Sequence, residues 1–108
     1  MKFQISVIDD HSREHTPAER MAIDDLNDKM VASGYRVFAG GLELTSSAQV
    51  FDFREGAESQ SSGTLFSAEE NYSGLWIIDV PSAEIAEELA VEASKSCNRK
   101  VELRPFRG

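Results

Sequence analysis

The stretch YSGLWIIDVPSAEIAEELAVEA, residues 72–93, decides the fold. Residues 75–80 (LWIIDV) are too few for a free-standing helix and are rich in strand formers, so they read as a buried strand opened by Gly74 and stopped by Pro81. Ser82 is placed to cap the next element, and Glu84 falls in its first turn, where the helix dipole favours an acid. Ile85, Ala86, Leu89, Ala90 and Ala93 then recur at helical spacing. Glu84, Glu88 and Glu92 stack on the outer face beside Glu87, answered at the C-terminal end by Lys95. The stretch is a strand feeding a helix.

Upstream, residues 2–8 (KFQISVI) alternate, with Phe3, Ile5 and Val7 on one face and Gln4, Ser6 and Ile8 on the other, which predicts a first strand. Residues 9–15 form a charged loop. Thr16-Pro17-Ala18-Glu19 reads as a capping box with proline at the first helical position. The helix that follows buries Ala22, Ile23, Leu26 and Met30, pairs Arg20 with Asp24 and Asp25 with Lys29, and stops at Gly34. Residues 35–39 (YRVFA) and 48–54 (AQVFDFR) are the second and third strands, expected as a hairpin around the turn at 43–47. Residues 55–62 (EGAESQSS) are polar and turn-rich, hence a loop, and 63–73 lead back to the deciding strand. Residues 100–106 (KVELRPF) form a last strand ended by Pro105.

With five strands and two helices the chain reads as an α+β fold on the ferredoxin-like β-α-β-β-α-β plan, with both helices on one face of an antiparallel sheet. Several strands are apolar on both sides: Trp76 and Ile78 oppose Leu75 and Ile77, and Phe51 and Phe53 oppose Val50. A helix-free face carrying such groups needs a cover. A second copy of the chain is the most economical one, which predicts a homodimer whose two sheets close into an α/β barrel.

At 108 residues, with 41% hydrophobic and 28% charged residues, the chain is one domain, residues 1–108, of ordinary globular composition. The formal charge of −8 argues against nucleic acid and anionic membrane surfaces, which demand a basic footprint. No apolar run is long enough to span a bilayer, and no basic-then-apolar leader pattern precedes the first strand. One cysteine, Cys97, cannot form an internal disulfide, so the expectation is a cytoplasmic protein. Basic residues concentrate at the end: Lys95, Arg99, Lys100, Arg104 and Arg107 face one acid, Glu102. That tail either complements the acidic helix or builds an anion site on Arg104.

Residues 34–42 (GYRVFAGGL), 74–80 (GLWIIDV) after Glu70, and 101–105 (VELRP) resemble the YCII-related family in its DGPF-type branch, over nearly the whole chain and in the same order. The resemblance implies a dimeric ferredoxin-like α/β barrel and, for most members, no established function. The family's Asp-Gly-Pro-Phe signature falls on Ser62-Gly63-Thr64-Leu65, so only the glycine is kept. A helix histidine that another branch is proposed to use with an aspartate falls near Ile23. Catalysis by that pair does not carry over.

His11-Ser12-Arg13-Glu14-His15 spells His-x-x-Glu-His, but zinc chemistry needs both histidines on one helix face, and Thr16-Pro17 starts the helix only afterwards. The five residues read as a solvated loop, and neither a metal nor a cofactor is expected. Adjacent Asp10 and His11 point apart in an extended chain, so they make no acid–base pair. Cys97 has Arg99 and Lys100 nearby and no neighbouring histidine to make it a nucleophile. Gln4 and Ser6 on the first strand share a face with Glu102 and Arg104 on the last, where burial requires them to pair with each other or with a ligand. A wet dimer interface and a pocket both satisfy that requirement.

Two function classes stay open: a dimeric small-molecule binding protein, and a small lyase or isomerase using an acid–histidine pair on a hydrophobic ring compound. The pocket in either case is expected among the first strand's outer end, the 9–15 loop and residues 62–76. Its candidate ligand-binding residues are Gln4, Ser6, His11, His15, Ser62, Glu70, Trp76 and Arg104.

Overall fold

The computed structural model describes residues 1–65 and 68–108 and shows an α+β chain with two helices, a four-stranded antiparallel sheet and a separate two-stranded sheet. The elements run β1 (Lys2–Asp9), α1 (Pro17–Ala32), β2 (Arg36–Gly41), β3 (Gln49–Asp52), β4 (Ser59–Ser62), β5 (Asn71–Asp79), α2 (Ala83–Cys97) and β6 (Lys100–Pro105). Strand order in the main sheet is β2-β5-β1-β6. That order is consistent with the ferredoxin-like plan.

Local chemistry fixes the helix ends. Thr16 Oγ1 accepts from the Glu19 N–H at 3.1 Å while the Glu19 carboxylate accepts from the Thr16 N–H at 3.0 Å, a complete capping box. At the other end the Tyr35 N–H donates to Met30 O and the Gly34 N–H to Val31 O. This paired closure requires a left-handed residue, and Gly34 supplies it at φ +74°. Ser82 Oγ caps α2 through the Ile85 N–H, and Asn98 ends it in the left-handed region. The acidic face of α2 finds its partner on the other helix, since Lys29 Nζ donates to Glu92 Oε1 at 2.6 Å.

Phe3, Ile5, Val7, Trp76 and Ile78 point to the helix side, where they meet Leu26 and Met30 of α1 and Ala86, Leu89 and Ala93 of α2. Ile5, Met30 and Ile78 are completely buried. The register Gln4↔Arg104, Ser6↔Glu102, Gln4↔Ile77 and Ser6↔Leu75 puts the alternate set on the helix-free face, as the strand alternation requires. Phe38 of β2 lies opposite Ile77 on that face and is exposed.

Three expectations are corrected. The second and third strands do not pair: β2 runs along β5, while β3 pairs with β4 in the register Gln49↔Ser62 to Asp52↔Ser59. Residues 59–62, read as loop, are thus a strand. The reason is non-local. β2 takes its partner from far along the chain, where a β-carbon at Gly74 would sit 3.1 Å from Gly40 O, and residues 49–52 pair with the polar 59–62 that follow them. Serines have low strand preference, and only the pairing itself makes them a strand. Third, Asp9 closes β1 instead of opening the loop, and it is buried.

The β3–β4 hairpin makes its substantial contacts only within itself among the described residues. It stretches the molecule to 47 × 36 × 17 Å and the radius of gyration to 15.8 Å, against about 13 Å for a compact domain of this length. Phe51 and Phe53 stay exposed on it.

The core and the hairpin should therefore answer differently to substitution. Ile5→Ala is expected to cost about 2 to 5 kcal/mol in urea unfolding, whereas Phe53→Ser should stay within about 0.5 kcal/mol. Comparable costs at both positions would mean that the hairpin packs on the domain.

Candidate functional site

A cavity of about 270 Å³ opens between α1 and the β2–β5 side of the sheet. Val7, Ile23, Ala39 and Trp76 supply apolar walls, and Gly40, Gly41, Gly74 and Leu75 bring backbone to the edge. Its polar groups come from three elements. The Trp76 indole N–H donates to Asn27 Oδ1 at 3.0 Å, Arg36 Nη1 donates to the same oxygen at 3.4 Å, and Asn27 Nδ2 donates to Ile23 O at 3.1 Å. His15 completes the lining, and its Nε2 is buried without a hydrogen-bond partner among the described residues. Buried polar atoms are rarely left so, because each forfeits the hydrogen bond it had in water. Cys97 also lines the cavity, but burial pushes its thiol pKa up, so it is a packing group and not a thiolate.

His15 is held there by an ion cluster behind it. Arg99, almost fully buried, pairs through Nε with Asp9 Oδ2 at 3.1 Å and donates to Cys97 O at 3.0 Å and to Arg13 O at 3.1 Å. Its Nη1 lies 3.7 Å from Glu19 Oε1, and Arg13 grips both oxygens of Glu19 at 2.8 Å. The His11 N–H donates to Asp9 Oδ1 at 2.9 Å, which turns the chain through a left-handed His11 at φ +59°. One guanidinium thereby joins the end of β1, the 10–16 segment, the start of α1 and the end of α2.

The cluster sets carboxylate pKa values. Burial works to raise that of Asp9 but is outweighed by the His11 N–H and by Arg99, so the net shift is downward. Glu19 is held far below the usual range, first by the Arg13 hydrogen bonds and then by the Thr16 N–H. Asp10 is lowered too, by hydrogen bonds from Ser12.

The other sequence-derived candidates lie apart from this cavity. His11 sits outside it. Glu70 is 2.5 Å from Lys100 Nζ, at a shallow recess with Asp10, Ser12 and Arg13. The expected meeting of Glu70 and both histidines with the indole thus reduces to His15 and Trp76. Gln4, Ser6 and Arg104 do share the helix-free face, where Gln4 Nε2 donates to Ser6 Oγ at 2.9 Å and Arg104 pairs with Glu102 at 2.7 Å. Arg104 therefore already has its anion. Ser62 lies on the hairpin opposite Gln49. Within the segment expected to line the pocket, Phe66 and Ser67 lie outside the described residues. Asn27, Arg36 and the anchoring role of Arg99 went unread in the sequence. Asn27 carried a signal, since it interrupts the apolar stripe Ile23, Leu26, Met30 on its inward side. The His11-to-His15 segment precedes α1 and is not helical, and no group of three metal-ligating side chains occurs among the described residues.

Because the folded pKa values of Asp9 and Glu19 lie below their unfolded values near 4, the stability they lend is complete above that range. It is lost as pH falls through the folded values. Urea unfolding followed from pH 7 to pH 2 should show stability declining below about pH 4, with a shallower acid limb in Asp9→Asn. Arg99→Met, which strands Asp9, should cost about 3 to 5 kcal/mol at pH 7. An acid limb unchanged by Asp9→Asn would remove Asp9 from the account.

The sequence matches no family model and no curated protein, so the reading of this site rests on its own geometry.

Proposed function

We propose that this chain binds a small organic molecule in the cavity under α1, and that it works as a cytoplasmic homodimer. The observation that carries the binding reading is a cavity walled by Trp76 and aliphatic groups whose lining includes His15, a histidine with a buried, unpartnered Nε2 among the described residues. Convergent polar groups in an apolar cleft are what small-molecule sites offer. A lyase or isomerase working by an acid–histidine pair finds its histidine there but no Asp or Glu among the described lining residues, which favours binding over acid–base catalysis.

The dimer reading rests on the helix-free face. Leu75 and Ile77 are partly covered, Phe38 and Tyr72 are exposed, and the face's charges come as opposites, Lys2 across from Asp79, Lys100 with Glu70 and Glu102 with Arg104. A patch that is apolar and charge-balanced can meet a copy of itself even though the whole chain carries −8. The apolar groove formed by Leu42, Leu44, Leu65 and Tyr72 continues this face toward the hairpin. Pairing of two sheets there would make the dimeric α/β barrel of ferredoxin-like plan that the resemblance to YCII-related proteins implies, and membership in that family is part of the same proposal. No helix among the described residues is long and apolar enough to cross a membrane.

Two measurements test these points. Light scattering should return twice the 11.9 kDa chain mass, and Ile77→Lys should return it to a single chain with its circular dichroism kept. A concentration-independent monomer would end the dimer reading. A thermal-shift screen of neutral, anionic and cationic single-ring compounds should yield ligands that raise the melting point in the native chain and fail in His15→Phe, since a ligand held only by the folded state stabilises it. Silence across that screen would end the binding reading.

A further inference from the structure

Resting on that binding reading, the geometry points to the class of the ligand: we infer that the cavity takes a small apolar molecule bearing one carboxylate. The chain has 19 acidic residues against 11 Lys and Arg. None of the 19 lines this cavity among the described residues, while Arg36 and His15 both do. An acidic protein has here left out its commonest charge.

The hydrogen-bond groups at the cavity select the kind of partner it would take. Asn27 Oδ1 is already used by Trp76 and Arg36, and Asn27 Nδ2 by Ile23 O. Arg36 forms no ion pair among the described residues, and its bond to Asn27, at 3.4 Å, is long. A guanidinium has five N–H donors and no acceptor, so most of its capacity remains unspent at the cavity. Those donors call for an acceptor-rich partner, and a carboxylate matches the planar fork with two parallel hydrogen bonds. An amine would bring a second positive charge to Arg36 and no acceptor.

The rest of the lining sets the body of the ligand. Trp76, Val7 and Ile23 offer apolar surface, and the volume of about 270 Å³ lies just below the usual range of ligand pockets. A single ring or short branched chain fills it.

Trp76 is the only tryptophan and forms part of the wall, so its emission reports occupancy directly. Benzoate, benzamide and benzylammonium share a ring and differ in the charged or polar group. Benzoate should change the emission saturably, benzamide at least tenfold more weakly, and benzylammonium not at all. Arg36→Gln, at an exposed side chain, should bring the benzoate-to-benzamide ratio to about one, whereas Arg54→Gln on the hairpin should leave it unchanged. Equal affinity for benzoate and benzamide, a preference that survives Arg36→Gln, or no response to benzoate would each overturn the carboxylate assignment. The binding reading itself falls only with the broader screen, in which neutral and cationic compounds also fail.

Discussion

A single buried guanidinium organises the end of this molecule that holds the cavity under α1. Arg99 follows α2 and precedes β6, yet its side chain reaches the last residue of β1, the carbonyl of Arg13 and the capping acid of α1. Removing charges from water is costly, and the arrangement is stable only because nearly every donor has an acceptor and Asp9 has two. The consequence reaches beyond the cluster. The segment that delivers His15 is anchored at Asp9 on one side and at Glu19 on the other, so the histidine is directed under α1 by interactions made behind it.

The sheet has two faces with different fates. On the helix side, Ile5, Trp76 and Ile78 are covered by two helices joined through Lys29 and Glu92. On the other side, short polar chains at Gln4 and Ser6 lie between half-covered Leu75 and Ile77 and the ion pair of Glu102 and Arg104. The cavity belongs to the first face, where α1 crosses the β2–β5 edge and the glycines at 40, 41 and 74 stand in place of bulky side chains. The same glycines that permit close strand pairing thus leave room beside it.

The β3–β4 hairpin departs from the compact plan. A two-stranded sheet gains little stability by itself in water, and this one shows Phe51 and Phe53 to solvent. Its base runs into the apolar groove beside Tyr72, which is also the end of the helix-free face.

Reading residues in order was enough for the elements whose causes are local. The capping box at Thr16, the left-handed stop at Gly34, the cap at Ser82, and the alternation of β1 and β5 are all written within a few residues, and each appears in the structure. The shared face of Gln4, Ser6, Glu102 and Arg104 was legible for the same reason, because a period of two fixes which side chains are neighbours once strands pair. The pairing partners were not legible. Residues 49–52 fold onto the serines at 59–62 while β2 pairs with β5, more than thirty residues further on, and no signal within either segment dictates that choice. The cavity was hidden by the same cause. His15, Asn27, Arg36 and Trp76 come from a loop, a helix and two strands, each unremarkable in its own segment, and only tertiary packing brought a histidine, an amide, an arginine and an indole to one wall.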